Sequence, residues 1–228
     1  MNLATPASVD DAISIQQEMR HRVILQDDFA ELQTIVGVDV GYDPSRNLSR
    51  AALVVLQQGE LTASVIAFDT TPFPYVPGLL SFREVPVVMK ALACLAVLPD
   101  MLFVDGQGIA HPRRLGIAAH LGVLTGLPAI GIAKKRLCGV YEEPDLHKGA
   151  RSELIHNNEK IGTVLRSKER VKPLFISPGH RVSHETAVRL VEQYLAHHRL
   201  PEPTRLADIL SKTPSKIPTG ISKNLSLF

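Results

Sequence analysis

With 228 residues, 45% hydrophobic and 21% charged, the chain holds enough apolar material for one large domain and is too ordinary in composition to be disordered throughout. No apolar run reaches membrane-spanning length, and the N-terminus lacks a basic patch followed by an apolar core. The net charge of +2 conceals a segregation: residues 1–110 hold 6 Lys+Arg against 13 Asp+Glu, and residues 111–181 hold 13 against 6. An acidic block beside a basic one suits a site with cations on one side and a polyanion on the other; the bland alternative is that both blocks are spread over a solvated surface. The two cysteines, Cys94 and Cys138, stand in no CxxC or metal-ligand spacing, which suits a reducing compartment. The expectation is one cytoplasmic domain over 1–228 that spans no membrane.

In chain order, residues 8–25 read as a helix opened by Ser8, Asp10 and Asp11. Thr34 to Val40 is a strand, with Val36, Val38 and Val40 on one face and Ile35, Gly37 and Asp39 on the other. A turn at 42–47 leads to a second strand over 51–57, and Gln58-Gly59-Glu60 turns into a third over 61–69. Three strands joined by short turns form an antiparallel meander. Three prolines within 70–78 exclude a helix or central strand there. A helix follows over 82–98, with Ser81-x-x-Glu84 as a capping box. Met101 to Asp105 is a short buried strand that ends on a carboxylate, followed by Gly106 and Gly108.

A second helix runs over 114–125, and a strand over 128–133 ends in Lys134-Lys135-Arg136. Residues 140–160 suggest no clear element. Residues 161–165 and 173–176 form a hairpin around a basic turn, and 177–181 are a loop. The stretch 183–197 is a helix with Ala187, Leu190, Val191, Tyr194 and Leu195 on one face. Prolines at 200–205 break it before a short helix carrying Leu206, Ile209 and Leu210. From about 211 to 228 a flexible tail is expected.

This order predicts an α/β fold: a mixed sheet, meander plus parallel strands, flanked by helices. The simplest arrangement pairs the fourth strand beside the first through a right-handed crossover, which sets Asp39 next to Asp105. Two adjacent ionised carboxylates repel unless a cation intervenes. Oxygen-only ligation favours Mg²⁺, with Mn²⁺ as a substitute, over Zn²⁺. Glu84 and Asp208 are further candidate ligands. Each has a structural alternative: Glu84 completes the capping box, and Asp208 is a surface residue.

Six ordered segments then carry a resemblance: VGVDVGYD (36–43), PYVPGLLSFRE (74–84), FVDGQGIAHPRRLGIAAHLG (103–122), IGIAKKRL (130–137), LFISPGHRVS (174–183) and LPEPTRLAD (200–208). Over roughly 34–210 the chain resembles the endonuclease V family, repair nucleases of ribonuclease H-like fold. The resemblance implies Mg²⁺-dependent, two-metal-type hydrolysis of the second phosphodiester bond 3′ to deoxyinosine in DNA, leaving 3′-hydroxyl and 5′-phosphate ends. It implies metal-ligand roles for Asp39, Glu84, Asp105 and Asp208, and roles beside the scissile phosphate for His111 and Lys134. Tyr75, within Pro74-Tyr75-Val76-Pro77, matches a strand-separating wedge. Gly78, Leu80, Gly106 and Gly116 are the expected walls of a base pocket built from main-chain groups.

Arg113, Arg114, Lys135, Arg136 and Arg181, with Arg166, Lys168, Arg170 and Lys172, are the expected phosphate contacts. Structural alternatives stand beside two of these roles: His111 holds the turn before Pro112, and Tyr75 packs on the domain. The competing functions are another ribonuclease H-like nuclease, acting on inosine in RNA or on branched DNA, and a non-catalytic nucleic-acid-binding module.

Overall fold

A sheet of nine strands organises the computed structural model, which describes residues 5–71, 73–213 and 222–226. β1 (Thr34–Asp43), β2 (Leu48–Gln57) and β3 (Glu60–Thr70) form the antiparallel meander. Their ladder continues to the Asp43–Leu48 pair, so the turn is tighter than the polar stretch 42–47 suggests. β4 (Met101–Val104) lies parallel beside β1 with Val38 opposite Val104, and β5 (Ala129–Ala133) lies parallel beside β4. β6 (Arg151–His156), β7 (Glu159–Leu165) and β8 (Leu174–His180) extend the sheet past β5, and β9 (Ser222–Ser226) pairs with β3 at the other edge. The expected mixed sheet is therefore present.

Helices cover both faces. α1 (Val9–Met19) is capped by Ser8, whose hydroxyl accepts from Asp11 N, and ends in a 3-10 turn at Arg20–Arg22. α2 (Ser81–Ala93) and α3 (Ile117–Thr125) pack on the Val36/Val38 face: Val85, Val88, Ile117 and Leu121 meet Leu102 and Val104 there. The opposite face carries α4 (His184–Gln193), whose Val188, Leu190 and Val191 meet Ile35, Phe103 and Ile132, and α5 (Glu202–Lys212), whose Ala207 and Leu210 meet Ala52 and Val54. Each fully buried side chain of this size contributes roughly 1.5–3 kcal/mol by leaving water.

Several boundaries differ from the sequence reading. α2 stops at Ala93 rather than Leu98, its last turn tightened by Cys94 N and Leu95 N bonding to Ala91 O and Leu92 O. α3 begins at Ile117 rather than Arg114, which adopts a positive φ of 59°. β6 lies in the stretch that suggested no element, because most of its residues keep solvent contact and show no apolar alternation. The expected loop at 177–181 is largely β8. Pro178 is tolerated there because β7 pairs only with Leu174–Ile176, and β5 is irregular at Ala129/Ile130 where it faces Pro178. The break at 200–205 is already the first turn of α5, where Pro203 forfeits no helical hydrogen bond. Of the expected tail, Ser211 and Lys212 belong to α5 and 222–226 to β9; residues 214–221 and 227–228 lie outside the described residues.

Candidate active site

The site starts from a pattern in β1. Gly37, Asp39 and Gly41 are two residues apart and share one face of the strand. A Cβ on Gly37 would overlap the carbonyl of Pro203, and one on Gly41 would lie 2.8 Å from Ser211 O. The glycines thus let α5 lie directly on β1, which sets Asp208 and Ser211 over Asp39. The register continues from the Val38–Val104 pair, and Asp105 N donates to Val38 O at 2.9 Å, so Asp105 stands beside Asp39. One carboxylate oxygen from each of Asp39, Asp105 and Asp208 lies within 4.8 Å of the others.

Glu84 stands outside that group of three but within its field. Ser81 is the first helical residue of α2 and Leu80 the N-cap, so the expected capping box does not form. Released from that role, Glu84 sits where burial, and then the charges of Asp39 and Asp105, push its carboxyl up to about 8. Burial and Asp39 push Asp105 up to about 6 against the opposing pull of Lys134. The Lys134 ammonium lies 2.5 Å from Asp105 Oδ2 and also binds Asp208 Oδ1. Lys212 donates to both oxygens of Asp208 at 2.8 and 2.7 Å. Ser211 Oγ donates to Asp39 Oδ2.

The donor set fits a hard divalent cation. Three carboxylates converge, the buried Asp105 Oδ2 has no well-aligned hydrogen bond, and a positive group already lies between Asp105 and Asp208. Asp39, Asp105 and Asp208 are the residues that would hold the ion.

A cavity of about 510 Å³ opens beside this cluster, with Asp105 and Lys134 in its lining. The four expected pocket residues, Gly78, Leu80, Gly106 and Gly116, all line it, together with Tyr75, Val76 and Pro77. The starts of α2 and α3 both reach it, and neither carries a side-chain cap. Most first-turn N–H groups are taken by backbone carbonyls, Phe82 N by Leu79 O, Arg83 N by Leu80 O and Ala118 N by Gln107 O, which leaves Ser81 N and Ile117 N at the two helix starts to meet acceptors on a ligand. Gly78 O anchors the loop: it accepts from Gln16 Nε2 at 3.0 Å, Arg113 NH2 at 2.8 Å and His111 Nε2 at 2.9 Å.

Because His111 Nδ1 accepts from Arg113 N at 3.1 Å, its proton lies on Nε2. Burial, and then the Arg113 charge, push the ring down to about 4. His111 lines the cavity with Asp105 and Lys134, and both its ring nitrogens are engaged in holding the Gly78 loop.

The basic residues divide in a way their sequence does not announce. Arg113 binds Gln16 Oε1 at 2.5 Å as well as Gly78 O. Arg114 binds Glu159 Oε2 at 2.7 Å, His111 O at 2.9 Å and His156 O at 3.1 Å. Arg181 binds Asp28 Oδ2 at 3.0 Å and Gly126 O at 2.7 Å, and Arg166 is buried against Glu143, Pro144, Asp145 and Val171. These four expected phosphate contacts are internal struts, since a guanidinium fork satisfies several loop carbonyls at once. Lys135, Arg136, Lys168, Arg170 and Lys172 are exposed. Tyr75 is 67% exposed, its ring 5.6 Å from the Arg83 guanidinium; Pro74 and Pro77 are exposed and Val76 is half-buried. Sequence reasoning missed Gln16 and Ser211. The period-two Gly37-Asp39-Gly41 pattern is the signal that a helix lies on β1, and it points to Ser211.

The profile of the endonuclease V family matches residues 17–209. An endonuclease V of Azotobacter vinelandii is 54% identical over 210 residues, covering 91% of this chain and 93% of its own length. The crystal structure of the Streptomyces avermitilis endonuclease V gives a TM-score of 0.88 at 41% identity, covering 95% of this chain and 96% of its own. That of the Ciona intestinalis enzyme, in complex with a 23mer DNA containing an inosine followed by a ribo-adenosine, gives 0.80 at 29% identity, covering 90% and 96%. By sequence over most of its length, and by the ribonuclease H-like arrangement of its sheet and helices, this chain belongs to the endonuclease V family.

Proposed function

We propose that the protein is a DNA repair endonuclease that recognises deoxyinosine and hydrolyses the second phosphodiester bond 3′ to it, leaving 3′-hydroxyl and 5′-phosphate ends. The observation that carries this reading is the continuity of the carboxylate cluster with the cavity: Asp105 and Lys134 belong to both. A base held in the cavity leaves its own backbone beside the carboxylates. Hypoxanthine presents a carbonyl where adenine presents an amine, and Ser81 N and Ile117 N, at the two helix starts, are the donors such a carbonyl would meet. Extruding the base requires a few kcal/mol, least at a mispaired site. Tyr75, an exposed aromatic on a proline-stiffened loop, suits the gap left in the stack.

Mg²⁺, or Mn²⁺ in its place, is the cofactor in this reading. Asp39, Asp105 and Asp208 would hold the ion or ions of a two-metal-type site, with Glu84 as a further candidate ligand. When bound, such ions supply an activated water and screen the charge of the phosphate and the leaving oxygen. In this reading Lys134, released from Asp105 and Asp208, would contact the phosphate. Exposed Lys135, Arg136, Lys168, Arg170 and Lys172 hold the backbone without reading sequence. Among the described residues no helix is long and apolar enough to cross a membrane, and a cytoplasmic place of action accompanies the reading.

The test is nick mapping on a duplex carrying one deoxyinosine, with and without Mg²⁺, beside an inosine-containing RNA of the same sequence. Cleavage of the DNA one nucleotide beyond the bond that adjoins the lesion is expected. Asp39→Asn and Asp105→Asn should abolish it, and binding to the DNA should weaken steeply with salt. Cleavage confined to the RNA would transfer the reading to the RNA substrate, and no cleavage of either would overturn it.

A further inference from the structure

We infer that Ser211 is a positioning residue of the metal site, setting the carboxylate of Asp39 for the cation. The inference rests on the metal reading of the Asp39, Asp105 and Asp208 cluster. Ser211 is 1% exposed at the end of α5, and its hydroxyl carries one proton. Two acceptors lie within reach: Asp39 Oδ2 on β1 and Asp208 O on its own helix at 3.0 Å. The charged acceptor makes the stronger bond and takes the proton. Asp39 is thereby fixed in rotation, and no hydrogen bond occupies its other oxygen among the described residues.

The backbone that carries the hydroxyl is held in place. Ser211 O lies against Gly41, so the last turn of α5 is seated on β1. Asp208 and Ser211 stand three residues apart on one helical face. A single turn thus brings one candidate ligand into the cluster and orients a second that belongs to another element. Outer hydrogen bonds of this kind fix ligand geometry, and their loss typically weakens metal binding by about 10–100-fold. A bystander serine, chosen only because a small residue fits against Gly41, would leave metal affinity unchanged when replaced by alanine.

The experiment is titration of the full chain with Mn²⁺ alone, by calorimetry, on the wild type, Ser211→Ala and Ser211→Thr, with the thermal midpoint of each recorded. Ser211→Ala removes one atom and creates no clash. The expected result is an Mn²⁺ dissociation constant raised at least about tenfold in Ser211→Ala, with affinity restored in Ser211→Thr, which keeps the hydroxyl. Unchanged affinity in Ser211→Ala overturns the inference. An equal loss in both variants also overturns it, because the effect then follows packing and not the hydroxyl. A wild type that binds no Mn²⁺ overturns instead the metal reading beneath it.

Discussion

Lys134 holds Asp105, its ammonium 2.5 Å from Oδ2, while it also grips Asp208. The lysine lies between two carboxylates that would otherwise face each other, in the place a cation would take. Without metal, the cluster depends on it. Lys134→Met should therefore lower the stability of the metal-free protein by about 2 kcal/mol, less than a fully buried pair because the lysine keeps some solvent contact. In a chain of this size that is a fall of about 4–8 °C in thermal midpoint. Mg²⁺ should raise the midpoint of the variant more than that of the wild type. Equal midpoints without metal would show that Lys134 does not relieve the cluster.

Buried titratable groups pull the stability of the metal-free protein in opposite directions as pH changes. Folding raises Glu84 from 4.5 to about 8, so its protonated form is the favoured one. Its contribution is complete below 4.5 and disappears as pH rises through about 8. His111 and His120 move oppositely, from 6.5 to about 4, because burial favours the neutral ring. Their contribution is complete above 6.5 and is lost as pH falls through about 4. Chemical denaturation of the metal-free protein across this range should show both slopes. Glu84→Gln should remove the decline between 4.5 and about 8, and because that window overlaps the one of the histidines it should steepen the net fall toward acid.

Gly37→Ala tests whether α5 must lie on β1. The added methyl would overlap the backbone of Pro203, which cannot yield as a flexible side chain can. A loss of about 3 kcal/mol is expected, at the upper end of overpacking effects. Displacement of α5 should also weaken Mn²⁺ binding, since Asp208 travels with the helix. A variant as stable as the wild type, with unchanged metal affinity, would contradict this seating.

Tyr75→Ala should leave the thermal midpoint within about 1 °C, because most of the side chain faces solvent. Its effect belongs to substrate recognition. Binding to an inosine-containing duplex should weaken by about 5- to 150-fold, in line with the roughly 1–3 kcal/mol of an aromatic stack. Mn²⁺ affinity should not change. Full retention of lesion binding would assign Tyr75 to the surface and not to the wedge.

The parts of this site legible in the sequence are those set by local pattern. Alternation in 34–40 separates Asp39 from the valines, and the apolar run 101–104 identifies the neighbouring strand, so the Asp39–Asp105 pair follows from chain connectivity alone. The glycines, prolines and Tyr75 of 74–80 mark a stiff loop through their own chemistry. What lies beyond such reading is partnership across the chain. Arg113, Arg114 and Arg181 look like a basic face until Gln16, Glu159 and Asp28 appear beside them. Ser211 looks like the start of a polar tail until α5 is laid on the glycines of β1. Ser81 and Glu84 have capping-box spacing, yet the helix begins one residue earlier than that reading requires.

The carboxylates of the cluster come from β1, from the end of β4 and from α5, three elements widely separated along the chain. A chain emerging from the ribosome presents Asp39 and Asp105 well before Asp208 and Ser211. Until α5 has been made and has settled on β1, neither the third carboxylate nor the hydroxyl that steadies the first is in place. The candidate metal site would thus be completed only late in the synthesis of the chain.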